Sequence, residues 1–143
     1  MKSITIRVRL EPGATMPEYK TAGAAGMDIA ASEPAVIPPG AFRGVHTGVF
    51  LELPEGTEVQ VRPRSGLALR HGIGILNAPG TIDSDYRGEI IVILFNLGRR
   101  RFTIRTGDRI AQLVFGKTLR VGLRPAARLN ATARGSGGFG HTG

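Results

Sequence analysis

The sequence predicts an all-β domain, a barrel or sandwich of short strands with one short helix, and three observations carry that reading. The 143 residues include 21 glycines and 9 prolines, more turn formers than a helical bundle tolerates. Apolar and polar residues alternate over short runs, as with Ile4, Ile6, Val8 and Leu10 against Thr5, Arg7 and Arg9. Hard breaks such as Pro38-Pro39-Gly40, Pro54-Glu55-Gly56 and Thr106-Gly107-Asp108 separate the runs.

In chain order, residues 3–10 read as a strand with one buried face. Residues 21–31 are rich in Gly and Ala, which allows close backbone approach, and carry one acid, Asp28, among apolar neighbours. Val36-Ile37 is a short apolar run, residues 45–53 a strand, and residues 57–62 a strand with Val59 and Val61 on one face. Residues 65–71 are the best helix candidate, with Ser65 expected as N-cap and Gly72 as the stop. Between the apolar runs 73–76 and 90–97, residues 77–89 read as a hairpin turning at Pro79-Gly80, where Gly80 is free to take φ > 0. The run 89–97 is nearly all apolar and is expected to be buried on both faces. Residues 98–101 are a basic turn, 102–104 a strand, and 109–115 a strand holding the polar Gln112. No repeat or internal boundary is visible, and residues 134–143 form a Gly-rich tail with one aromatic residue, Phe139.

Composition narrows the chemistry. The chain is 41% hydrophobic and 21% charged, which fits one globular domain with a core. It has no cysteine, so disulfides, thiolate metal sites and thiol nucleophiles are excluded. No apolar run approaches the roughly 18 residues of a membrane helix, and strand-like alternation begins too early for a secretory leader, so a cytoplasmic location and no membrane partner are expected. The net charge of +8 is unevenly placed. Up to Gly98, nine Lys/Arg face ten Asp/Glu; from Arg99 onward ten face Asp108 alone. That bias suits polyphosphates, nucleic acid or an acidic surface as partner, and equally a solvated basic face.

Several motif matches fail on context. Residues 135–140 fit G-x-G-x-x-G but neither follow a strand nor open a helix. Gly116-Lys117-Thr118 lacks the first glycine of a phosphate loop, since position 111 is Ala. His46, His71 and His141 have no metal-ligand spacing, and no serine sits in G-x-S-x-G. What remains points to phosphate. Arg62-Pro63-Arg64-Ser65-Gly66 places guanidinium groups and a hydroxyl at the start of the expected helix, where free N–H groups and the helix dipole attract anions. In the tail, Arg134 supplies charge, the glycines expose amides, and Phe139 offers a face for stacking on a base; a plain disordered terminus is the competing reading. Residues 77–89 concentrate Asn77, Asp83, Asp85, Tyr86 and Arg87, more functional groups than a turn alone requires.

Five segments in order resemble the trimeric deoxyuridine triphosphatase (dUTPase) family over residues 22–143. They are Ala25-Gly26-Met27-Asp28-Ile29, Arg62-Pro63-Arg64-Ser65-Gly66-Leu67-Ala68, residues 77–89, Gly107-Asp108-Arg109-Ile110-Ala111-Gln112-Leu113, and residues 134–143. The resemblance implies a distorted jelly-roll or β-barrel subunit over residues 1–133, with residues 134–143 as a flexible arm that completes the site. It also implies a homotrimer with shared active sites, and hydrolysis of dUTP to dUMP and pyrophosphate with Mg²⁺. In that reading Asp83 is the general base on the attacking water. Asn77 and the backbone of Gly80, Thr81 and Ile82 read uracil, and Tyr86 packs beneath the deoxyribose. Arg64, Ser65, Gly66 and Gln112 hold the phosphates, and Asp28 anchors Mg²⁺ through its waters. Arg134 pairs with the γ-phosphate, and the tail around Gly138 places Phe139 on the base. The chain departs from the family pattern twice. His141 stands where Ser or Thr is usual, which opens tail closure to pH near neutrality. The segment 120–134 carries Arg120, Arg124, Arg128 and Arg134 and no acid, which suits attraction of the anionic substrate or a second anionic partner such as nucleic acid. A dCTP deaminase on the same fold and a catalytically silent regulatory module are the alternatives; Asp83, Tyr86 and the complete tail favour the hydrolase.

Overall fold

A computed structural model describes residues 3–143, with eleven strands and one helix. In chain order the strands are β1 Arg7–Leu10, β2 Met27–Ala30, β3 Ala35–Ile37, β4 Phe42–His46, β5 Val49–Glu52 and β6 Thr57–Arg62. Helix α1, Ser65–His71, leads to β7 Ile73–Ile75, β8 Gly80–Ile82, β9 Ile91–Asn96, β10 Phe102–Ile104 and β11 Arg109–Lys117. Every pairing is antiparallel. The larger sheets run β2-β11-β6-β8 and β4-β9-β7; β1 pairs with β5, and β3 with β10. Alternate side chains from all these sheets meet in one cluster that includes Ile29, Ile37, Val45, Val49, Val59, Ile73, Val92, Leu94, Ile104 and Leu113. Full burial of each such side chain is worth about 1.5–3 kcal/mol, and that burial, more than strand propensity, fixes which face turns inward. The all-β, jelly-roll-like class is the one expected.

Two buried polar residues bind turns to this core. The Asn96 amide donates to the carbonyls of Ile37 and Arg100 at 2.9 and 2.8 Å and accepts the Gly98 N–H at 2.8 Å, which ties the end of β3 to the β9–β10 turn. The Thr47 hydroxyl donates to the Ile90 carbonyl at 2.5 Å, and the Ile90 N–H returns to the Val49 carbonyl at 2.9 Å.

Four sequence expectations need correction. The expected strand 45–53 is two strands, because Gly48 at φ 64° turns the chain from one sheet to another: β4 pairs with β9, β5 with β1. Residues 77–89 are not a simple hairpin. β7 pairs with β9, and between them the chain crosses to the other large sheet, where β8 pairs with β6. Gly80 is accordingly extended and lacks a positive φ; its freedom serves close approach, since a Cβ there would lie 3.3 Å from Val61 Cβ. β9 is buried on one face only; Val92 and Leu94 point inward while Ile91 on the other face is 44% exposed. The first strand is shorter than residues 3–10. Ile6 and Val8 pack on the core, but Ile4 and Leu10 are exposed.

Candidate active site

The site is assembled from the middle of the four-stranded sheet. In β11, a register shift between Arg109 and Ala111 lets Ile110 and Ala111 both turn inward. Beyond it, Gln112 stands opposite Asp28 of β2 on one side and Arg62 of β6 on the other. Three segments distant in sequence thus become neighbours through backbone pairing alone.

Their side chains lock together. Asp28 Oδ2 accepts a hydrogen bond from Arg109 Nη1 at 2.9 Å, and its Oδ1 lies 3.3 Å from Arg64 Nε. Arg64 Nη1 also donates to the Arg109 carbonyl at 3.3 Å. The Asp28 side chain is only 16% exposed, so the two guanidinium groups satisfy a carboxylate that is largely out of water. Gln112 Nε2 donates to the Pro63 carbonyl at 3.0 Å, and its Oε1 occupies space that a Cβ on Gly26 would invade at 2.5 Å. The glycine at position 26 of the first motif is therefore required by the Gln112 side chain that lies there.

Helix α1 starts beside this cluster and spans the expected residues, with Gly72 as its left-handed C-cap at φ 67°. Its N-cap is Arg64, not Ser65, and no side chain caps it. Arg64 keeps an extended backbone (φ −94°, ψ 126°) while its side chain is held by Asp28, so Ser65 is already the first helical residue. Its hydroxyl is thus not committed to a cap, and no acid stands in the first turn to compete for an anion. The Arg70 guanidinium lies over Gly66, where a Cβ would meet Nη2 at 2.8 Å.

A cleft of about 510 Å³ lies against these residues, lined by Gln60, Arg62, Pro63, Ser65, Ala78, Pro79 and Gln112. The structure thus brings Ser65 and Gln112 to one cleft, Asp28 and Arg64 to one ion cluster bonded to Arg109, and the start of the 77–89 segment to the cleft's rim. Gly80, Thr81 and Ile82 form β8 against β6, with Asn77 beside Gly80. Asp83 falls elsewhere. It is exposed and faces a second cavity of about 700 Å³, which Glu58, Asp85, Arg87, Thr118 and Arg120 also line. Tyr86 has its N–H bonded to the Asp83 carbonyl and its hydroxyl to the Glu89 carbonyl. The tail touches neither cavity. Arg134 Nε bonds the Gly137 carbonyl, Phe139 is fully exposed at φ 51°, and Gly138 contributes only a carbonyl to the His141 N–H.

No sequence signal singles out Arg109 within the segment Gly107 to Leu113. Only the pairing of β11 with β2 reveals that it meets Asp28. Among the described residues, no three His, Cys, Asp or Glu side chains gather as a metal site. Both Asp28 oxygens already face guanidinium groups, so a direct metal bond would displace one. This donor set would suit contact with a cation through its waters better than direct coordination. Among the described residues, no helix is long and apolar enough to cross a membrane.

Comparison with known proteins agrees with this arrangement. The dUTPase family model matches residues 13–143. Deoxyuridine 5'-triphosphate nucleotidohydrolases of Anaeromyxobacter sp. and Wolinella succinogenes are each 54% identical; the matches cover 98% and 100% of this chain and 98% and 97% of theirs. A Staphylococcus bacteriophage 80alpha dUTPase solved with dUpNHpp superposes with a TM-score of 0.88 at 27% identity, over 99% of both chains. A dUTPase of the S. aureus phage phi11, whose structure concerns the coordination of a structural Mg(II) ion, gives 0.81 at 25% identity over 87% of this chain and 98% of that one. Strand order, the paired motif segments and near-full-length identity converge, and the chain belongs to the dUTPase family.

Proposed function

We propose that this protein is a dUTP diphosphatase that hydrolyses dUTP to dUMP and pyrophosphate by attack of water on the α-phosphorus. By removing dUTP and supplying dUMP, such an enzyme limits uracil in DNA and feeds thymidylate synthesis. The observation that carries the reading is the Asp28–Arg64–Arg109 ion cluster set beside the cleft that Ser65 and Gln112 line. Phosphoryl transfer is mostly positioning and charge neutralisation, and this cluster offers both. Arg64, Gln112, the Ser65 hydroxyl and the Gly66 amide bind the phosphate chain. Asp28 holds the two arginines and would hold Mg²⁺ through its waters; the metal, when bound, would supply charge neutralisation to the phosphates. Asp83, exposed and free to meet a water, is the general base. Asn77 and the backbone of Gly80, Thr81 and Ile82 read uracil, and a base that leaves such groups unpaired is rejected. Tyr86 packs under the deoxyribose.

The separation of Asp83 from the Ser65–Gln112 cleft supports a site shared between subunits of a homotrimer, in which one chain's Asp83 faces another chain's phosphate cleft. Uncovered apolar surface supports the same assembly. Phe42 and Ile91 are 64% and 44% exposed, and Leu119, Val121 and Leu123 project from a segment that pairs with no strand among the described residues. Residues 134–143 then act as an arm over a neighbour's site, with Arg134 on the γ-phosphate, Gly138 supplying an amide and Phe139 on uracil. The basic last third draws in the anionic substrate. Cytoplasmic action fits a chain without cysteine.

The test is pyrophosphate release from dUTP, dTTP, dCTP and UTP in parallel, with ammonia followed on dCTP. Activity confined to dUTP is expected. Equal rates on all four would remove the roles of Asn77 and Tyr86, and ammonia from dCTP would make the protein a deaminase.

A further inference from the structure

We propose that Glu89 is a positioning residue for Tyr86, and that His46 sets how firmly Glu89 holds it, so that preference for deoxyribose over ribose substrates varies with the protonation of His46. The inference rests on the reading of Tyr86 as the residue beneath the sugar.

The Tyr86 ring is folded onto Gly88, where a Cβ would lie 2.3 Å from Oη, and its hydroxyl donates to the Glu89 carbonyl at 2.8 Å. The tilt of the ring therefore follows the position of the Glu89 peptide. That peptide stands at a boundary. On one side Ile90 is buried and bonded to Thr47 and Val49; on the other, residues 85–87 are exposed. What anchors the boundary is the Glu89 carboxylate. Its Oε1 accepts the Gly48 N–H at 2.9 Å, and its Oε2 lies 2.7 Å from His46 Nδ1. The Glu89 side chain is 15% exposed and His46 is 47% exposed, so one partner is fixed and the other is open to titration by solvent.

The charged groups that face His46 are Glu89 opposite it, Glu33 from the loop after β2, and Arg43 on β4 itself. The hydrogen bond and charge of Glu89 raise the His46 pKa above its usual value; Glu33 adds to this, while partial burial and Arg43 oppose it. The sign follows. Below the ordinary histidine pKa the ion pair is whole, and it weakens as pH rises through the raised value. Neutral His46 keeps a hydrogen bond through its Nδ1–H tautomer but loses the charge. Half-exposure screens the pair, so the expected effect is a few-fold change and not a switch. In a trimer that covers the Ile91 face His46 is drier, which disfavours the lone imidazolium but strengthens its attraction to Glu89; assays on the assembled enzyme read the sum.

The experiment measures kcat/KM for dUTP and for UTP on the full-length protein at pH about 6 and about 8.5, either side of the histidine range, and takes their ratio. Titrations of shared catalytic groups and of the triphosphate cancel in that ratio. For the wild type the ratio is expected to fall about two- to five-fold at the higher pH, the scale of a screened ion pair. His46→Arg, charged throughout, holds the higher ratio at both pH values. His46→Gln and Glu89→Gln give the lower ratio, independent of pH. A wild-type pH response surviving in His46→Gln overturns the proposal, as does a flat wild-type ratio. Tyr86→Ala separates the two levels. If it lowers the ratio while the His46 and Glu89 variants do not, only this proposal fails; if it leaves the ratio unchanged, the assignment of Tyr86 to the sugar fails first.

Discussion

Asp28 lies on a strand between two guanidinium groups with both oxygens engaged, whereas Phe139, fully exposed, sits in a tail whose hydrogen bonds reach no further than Thr132. Both belong to motifs of one proposed active site. The first region is preorganised by the fold: pairing of β2, β11 and β6 sets Asp28, Gln112 and Arg62 side by side, and their geometry is in place before any ligand arrives. The second is held, among the described residues, only by bonds within residues 132–143. In the proposed trimer its ordering would be supplied by substrate and a neighbouring subunit, at an entropic cost that would make the tail a gate. Stability and activity should therefore separate: the strand-built half contributes to both, the tail to activity alone.

The largest expected effect comes from the exposed side of the divide. Asp83→Asn should lower kcat by about 10²–10⁴-fold, the usual worth of a general base, with little change in KM or melting temperature. A loss under about ten-fold would remove Asp83 from the chemistry. Deleting residues 134–143 should lower kcat/KM by about 10²-fold, equivalent to roughly 2.7 kcal/mol of transition-state binding, while thermal unfolding stays put. If the truncated protein melts several degrees lower, the tail is packed on the body and the contrast collapses. Arg64→Ala should sharpen the contrast by failing on both counts. It removes a charge-assisted partner of Asp28 and a phosphate contact, so KM should rise about ten-fold or more and the melting temperature should fall. The smallest effect is expected at His141, whose ring lies against Gly137 within the tail itself. His141→Ser should leave stability unchanged and shift KM by about three-fold at most; an unaltered pH profile of KM would show that the imidazole takes no part in closure.

Legibility in the sequence follows the same divide. Local signals were reliable: Thr57–Arg62 and Ser65–His71 have the spans that alternation, the arginine–serine start and the Gly72 stop suggest. Partners were not legible, because a period of two assigns a face but never names the strand alongside. Hence residues 77–89 read as one hairpin between the apolar runs 73–76 and 90–97, although the chain crosses there to the other large sheet, where β8 pairs with β6. Hence also Arg109 passed unnoticed, since its contact with Asp28 spans 81 positions and depends on register. The apolar run of β9 misled for another reason. Apolar side chains report that a surface is covered, not by which chain, and one face of β9 is left uncovered by its own subunit. For the site, the residue types are legible from motifs; the split of the candidate residues between two cavities is not.

The crossed bonds between Thr47–Val49 and Glu89–Ile90 also have a kinetic consequence. They join positions about 40 residues apart, and the loop they close contains β6, α1, β7 and β8. Closing so long a loop costs entropy before any contact repays it, so contacts of this separation slow folding. Once made, this stitch is anchored in the core, with Thr47 and Val49 wholly enclosed. The Ile90 amide should then exchange with deuterium only through global unfolding, while amides of the tail exchange at once. Opening this stitch would also free Glu89 from Gly48, so the exchange of the Ile90 amide and the setting of the Tyr86 ring should depend on the same few bonds.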